Sequence, residues 1–291
     1  MTIRAVDLPE VRAELASFSE SPEGVSYWQE HATTLDYYRA RRLDAAYLGV
    51  AVQDSLRGAL FAVTGAMGEL AAVAGQSLDL FDMELEDLPA PAGVLMFEEP
   101  PALLQGVDAD GTPTVVHGAT WTVRDDGQGP YIWITAAAVA RDHGGLTLGG
   151  PALIPFSMSQ YLESVGRSEM TREKNLFDHL LTTVRAAWLL MRQPLAENTD
   201  VLPTRAVRKR LHRIGHEPAS VRLIELRRPR STTGVGDSGR GYYHQWIVRG
   251  HWRQQWHPKR QVHRPVWIAP HVKGPEDAPL IGGEKVNVLK R

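Results

Sequence analysis

Residues 242–274 read YYHQWIVRGHWRQQWHPKRQVHRPVWIAPHVKG, and the way this stretch folds governs what the chain can present to a ligand. It places four Trp, five His and six Lys/Arg in 33 positions. Successive side chains of a strand point to opposite faces. Tyr242, His244, Trp246, Val248, Gly250 and Trp252 therefore share one face, and Tyr243, Gln245, Ile247, Arg249, His251 and Arg253 the other. The first set is apolar enough for a core. The second aligns two guanidiniums and an imidazole with a phenol at the edge, which suits phosphate and aromatic bases. Residues 262–268 are rich in β-formers, and His257-Pro258-Lys259-Arg260 supplies a turn, so a β-hairpin of unfixed register is expected. The plain alternative is two outer strands of a mixed sheet, with Trp246, Trp252 and Trp267 as core and the Arg and His residues as a solvated face.

Around this stretch the charge is lopsided. The net charge of −2 conceals 19 Lys/Arg against 6 Asp/Glu in residues 201–291, and 13 against 28 in residues 1–200. Such asymmetry points to a polyanion partner for the basic part, or to attraction between the two parts of one chain. The absence of cysteine excludes disulfides and thiolate metal sites. The beginning, MTIRAVDLPEVRAELASF, lacks the apolar core of a signal peptide, and the apolar run 59–68 is too short to span a bilayer. A soluble cytoplasmic protein with no membrane partner is expected.

Upstream of the basic part, residues 7–18 read as a short helix and residues 34–75, rich in Ala, Leu and Val, as two helices with closely packing glycines. The acidic run SLDLFDMELED (77–87) reads as a solvated surface, because its spacing matches no ion loop. Residues 93–97 read as a buried strand. Residues 114–123 and 131–135 read as a hairpin around Asp125-Asp126-Gly127-Gln128-Gly129, with Trp121 and Trp133 in the core. Ser157 and Gln160 have the spacing of a capping box, and residues 173–191 form the clearest amphipathic helix, His179 lying beside its apolar stripe. PTRAVRKRLHRIG then opens the basic region. Arg205, Arg208, Lys209, Arg210 and Arg213 crowd a short helix that Gly215 ends, and like charges so close need an anionic partner or the acidic half. Residues 221–227 alternate as a strand.

Two motif readings are set aside. Gly234, Gly236 and Gly239 spell a dinucleotide fingerprint but precede an aromatic strand where the fold would need a helix, so the segment reads as a loop. His251, His257, His263 and His271 lie among Arg249, Arg253, Arg260 and Arg264, which would repel a metal cation. Neither metal nor any other cofactor is expected. Metal-free phosphodiester cleavage needs an acid/base of near-neutral pKa and cations for the phosphate. His251, Arg249 and Arg253, with Tyr243 at the edge, are the candidate catalytic set. Arg205, Arg208, Lys209, Arg210, Arg213, Lys259, Arg260 and Arg264 are the candidate nucleic-acid contacts.

The segments RAAWLLMRQPL (185–195), VRGHWR (248–253) and HRPVWIAPHVKGPEDAPL (263–280) resemble parts of uncharacterised proteins of actinobacteria and their phages. The resemblance covers about residues 175–285 and implies a shared C-terminal module, with no catalytic residue carried over.

Taken together, the sequence is expected to fold as mixed α+β. Residues 1–200 form a mainly helical acidic part with a β insertion, and residues 201–291 a basic α+β module containing the hairpin. The expected function is nucleic-acid binding, RNA ahead of DNA, with metal-independent RNA cleavage of the toxin or phage-defence kind as its enzymatic form. The alternative is a non-enzymatic assembly or regulatory protein whose basic module docks on an acidic protein surface.

Overall fold

The apolar run ALFAV at 59–63 is strand β1, flanked by helices α3 (Ala45–Leu56) and α4 (Gly65–Gln76). The two helices expected across 34–75 are present, but β1 stands between them. Five apolar residues in a row carry no period that separates a buried strand from a buried helix. β1 pairs in parallel with β2 (Ala92–Phe97) on one side and β8 (Val221–Leu226) on the other. Central strands covered on both faces become continuously apolar, and β1 and β2 are so.

The computed structural model describes residues 2–34, 44–79, 81–107, 111–125, 127, 129–140, 145–157, 175–227 and 245–273. The protein is mixed α+β and divides into two units, Met1–Arg227 and Arg228–Arg291. The division falls at 227/228, not at 200/201. The basic segment 201–227 belongs to the first unit because β8 is an inner strand of its sheet, held by β1 and by β7 (Ala196–Val201).

The first unit is built on an eight-stranded sheet of order β6-β5-β4-β2-β1-β8-β7, with β3 (Gln105–Val107) paired to β4 off that path. The first unit thus combines helices with this sheet, as the mixed α+β reading expected. β4 (Pro113–Asp125), β5 (Pro130–Ala140) and β6 (Thr147–Pro155) form an antiparallel meander on one side. The expected hairpin is thus present and longer than the sequence suggested. One face of the sheet packs Leu60, Ala62, Val94, Met96 and Trp133 against Leu8, Val11 and Leu15 of α1 (Leu8–Glu20), Trp28 of α2 (Pro22–Thr34), and Leu48 and Val52 of α3. On the other, Phe61, Trp121 and Trp188 pack ring to ring in series at tilted angles, Trp188 being carried by α5 (Leu176–Leu190). Gly75 of α4 faces the Thr182 backbone of α5 so closely that a Cβ there would lie 2.7 Å from the Thr182 carbonyl oxygen.

Polar detail fixes the joints. Asn175 and Asp178 form a capping box at the start of α5, and Thr204 accepts the Val207 N–H (3.3 Å) at the start of α6 (Arg205–Arg213). Gly215, at φ +77°, ends α6 as expected. Ser55 Oγ lies 2.7 Å from the Val52 carbonyl and 2.8 Å from Thr120 Oγ1, which in turn lies 2.7 Å from Thr135 Oγ1, so buried hydroxyls tie α3 to β4 and β5. The β4–β5 ladder slips at His117, a bulge residue 2% exposed. Burial pushes its imidazole down to about 4. The proposed cap at Ser157–Gln160 and the glycine loop 234–239 lie outside the described residues.

Candidate nucleic-acid interface

The second unit is described over residues 245–273, where β10 (His251–His257) and β11 (Val262–Ile268) form the expected hairpin and β9 (Trp246–Val248) pairs with β12 (His271–Lys273). Val248 faces His271, and His251 faces Ile268. Stepping three residues along each arm leads from one pair to the other, so a single register runs through both ladders. The interruption at 249–250 and 269–270 is a break in hydrogen bonding without a slip. Its residues explain it. Pro270 has no N–H to donate, and a Cβ on Gly250 would lie 2.4 Å from Trp267 Cζ2. At the far end the Arg260 N–H donates to the His257 carbonyl (3.1 Å) across Pro258 and Lys259. Gln261 closes the turn at φ 52°, a left-handed conformation uncommon outside glycine.

Opposed residues of an antiparallel pair share a face. One face of β10–β11 carries His251, Arg253, Gln255 and His257 with Val262, Arg264, Val266 and Ile268. The other carries Trp252, Gln254 and Trp256 with His263, Pro265 and Trp267.

The first face brings together part of the candidate catalytic set. His251 and Arg253 lie on it, both exposed, and Arg264 joins them opposite Gln255. His251 Nδ1 is 3.1 Å from the Arg249 carbonyl, which can only accept, so Nδ1 carries the proton and Nε2 is the basic nitrogen of the neutral ring. His271 repeats the arrangement with the Ala269 carbonyl at 3.1 Å. Arg253 Nη2 donates to Gln255 Oε1 at 2.6 Å. Arg249 is exposed within the interruption, outside the ladder, and Tyr243 lies outside the described residues. Lys259 and Arg260 are exposed on the turn.

The remaining candidate cations lie on α6 in the first unit. Val207 and Leu211 bury one side of this helix with Ala13 of α1, which leaves Arg205, Arg208, Lys209 and Arg213 exposed. Arg210 points to α1, where its Nη2 donates to Glu10 Oε2 at 2.6 Å and its Nε to Glu10 Oε1. The bond and charge of Glu10 raise the Arg210 pKa. This guanidinium is engaged by the acidic half, as the internal-attraction reading anticipated for the basic helix.

Sequence reasoning passed over Trp256, and named His263 only in the metal reading that it set aside. The two face each other across the hairpin with ring centroids 4.9 Å apart and planes at 51°, and Trp256 is 44% exposed. Four residues back on each arm, Trp252 and Trp267 meet edge to face at 5.3 Å, with Trp267 only 5% exposed. The Pro258 turn is visible in the sequence, but its length is not: four residues, 258–261, separate the paired 257 and 262, and 256 against 263 follows.

Residues 245–273 contain six Lys/Arg, four His and no Asp or Glu. Among the described residues no three His, Asp or Glu side chains gather as a metal site, and no helix is long and apolar enough to cross a membrane. No protein-family model and no curated protein matches the chain. The solved structure of AcrVA2 is similar over 91% of this chain and 84% of its own, at 13% identity and a TM-score of 0.43, a likeness too weak to carry an argument about function.

Proposed function

We propose that the second unit binds nucleic acid through its β-ribbon, RNA ahead of DNA. The observation that carries this reading is the composition of residues 245–273, six Lys/Arg without one carboxylate. A strand pair of mixed charge cancels its own field, whereas residues 245–273 carry a net positive charge. The exposed cations of α6, namely Arg205, Arg208, Lys209 and Arg213, offer a second positive surface on the first unit. Docking on an acidic protein surface remains the alternative, and the Arg210–Glu10 pair favours it for α6 alone.

The preference for RNA follows from the chemistry available on the ribbon. In RNA the neighbouring 2′-hydroxyl can serve as the nucleophile without metal, given a base to take its proton, a cation for the phosphate charge and a proton returned to the departing 5′-oxygen by the protonated base or water. His251 offers Nε2 as the base, and Arg253 on the same face offers the cation for phosphate charge.

The experiment is a titration of labelled RNA and DNA against the whole protein across a range of salt. Each phosphate contact to a single strand should contribute about −0.7 to the slope of log affinity on log salt, and several contacts are expected. Absence of binding at low salt would remove the reading in favour of protein docking. Single-turnover assays in EDTA then separate binder from nuclease: His251→Ala should lower cleavage by about 10²-fold or more with affinity within a few-fold. Equal cleavage by the variant would clear His251 of that role.

A further inference from the structure

We infer that Trp256 and His263 form a stacking site for an unpaired base, so that the ligand of the ribbon is single-stranded nucleic acid. The inference rests on the proposed nucleic-acid reading and assigns it a subsite and a strand type.

Three observations converge on the pair. The ribbon places two aromatic pairs on one face with very different exposure: Trp267 is 5% exposed and packs against Trp252, while Trp256 is 44% exposed beside an exposed His263. The inner pair is structural. The outer one leaves a large apolar ring in water at a position where a hairpin needs no indole. Beside the open ring the turn carries Lys259 and Arg260, and residues 245–273 hold no Asp or Glu. An occupant must combine negative charge with a flat apolar surface, and a nucleotide does.

The distribution of charge narrows the choice further. Within the β10–β11 ladder the aromatic face carries Gln254 as its only side-chain amide and no Lys or Arg, since Arg253 and Arg264 lie on the opposite face. Base edges in a duplex groove are read most often by Arg and Lys, and this face of the ladder carries neither. In a duplex the faces of the bases are buried in the stack, whereas an unpaired base presents one to an aromatic side chain. Lys259 and Arg260 stand exposed on the turn immediately beyond Trp256, placed for the phosphates flanking a stacked base.

The test uses the full-length protein and three labelled ligands of equal length: an oligouridine strand, a strand of the same backbone lacking bases, and an RNA duplex. Stacking predicts that the wild type prefers the oligouridine strand to the abasic one by roughly 5- to 150-fold for a single stacked base. Trp256→Ala should abolish that preference and leave abasic affinity and its salt slope unchanged, and Trp256→Phe should restore most of it. Circular dichroism establishes that each variant is folded. Equal affinity of the wild type for the two strands, a preference that survives in Trp256→Ala, or tighter binding of the duplex would each overturn the stacking site while leaving phosphate binding in place. Failure to bind all three ligands at low salt would instead remove the parent reading and the subsite with it.

Discussion

The two units use tryptophan in opposite ways. In the first unit Trp28, Trp121, Trp133 and Trp188 are each no more than 1% exposed, set between a sheet and helices on both of its faces. In the second, Trp267 is buried, but Trp256, on the same ribbon face, is 44% exposed. The same side chain is core in one layer and open surface in another. What separates the cases is whether a second layer covers the ring, which residue identity alone does not reveal.

The contrast can be broken by mutation. Trp188→Ala should cost about 3–5 kcal/mol, because it deletes a buried indole packed against Trp121. Trp256→Ala should stay within about 0.5 kcal/mol. Urea midpoints of the two variants provide the measurement, and a comparable loss in both would show that Trp256 is core after all.

The first unit should also lose stability in acid. The His117 imidazole is buried with Nδ1 unpartnered, and burial moves it from its ordinary 6.5 down to about 4. With the folded value below the unfolded one, its contribution to stability is full above about pH 6.5 and is lost as pH falls towards 4. The loss should approach about 2 kcal/mol once solvent screening is allowed for. Denaturation at a series of pH values should show it, and His117→Gln should flatten the curve in that window. A slope that survives the substitution would assign the loss to other groups.

A smaller effect should fall on the ribbon alone. Gly250→Ala places a methyl group against the Trp267 ring, so the ring or the strand must shift, at a cost of about 1–3 kcal/mol. Hydrogen exchange should quicken over 246–257 and 262–273 without change in the first unit. Faster exchange in β1 or β2 would show that the two units do not open independently.

The sequence exposed the parts of the fold whose signals are local. The turn at 257–260 contains Pro258, helix α5 has a helical apolar stripe from Leu176 to Met191, and α6 ends at Gly215; the structure has all three. Strand β1 escaped because ALFAV, buried on both faces, reads equally well as helix, and the place of β8 escaped because parallel pairing with β1 joins residues some 160 positions apart. The candidate site was legible in half. Alternation placed His251 and Arg253 on one face, but the aromatic pair at 256 and 263 required the register, which the turn fixes only once its length is known.

The unslipped register of the ribbon restricts how its length can vary between related chains. Loss of one residue from one arm would break every pair beyond it. Loss of one matched pair, such as Gly250 with Ala269, would preserve pairing but turn the aromatic face of the tip to the other side, since side chains alternate at every step. Only the loss or gain of two matched pairs keeps both pairing and facing. Ribbons of this kind that retain the outer aromatic pair should therefore differ by even numbers of residues per arm, with their lengths advancing in steps of roughly 7 Å.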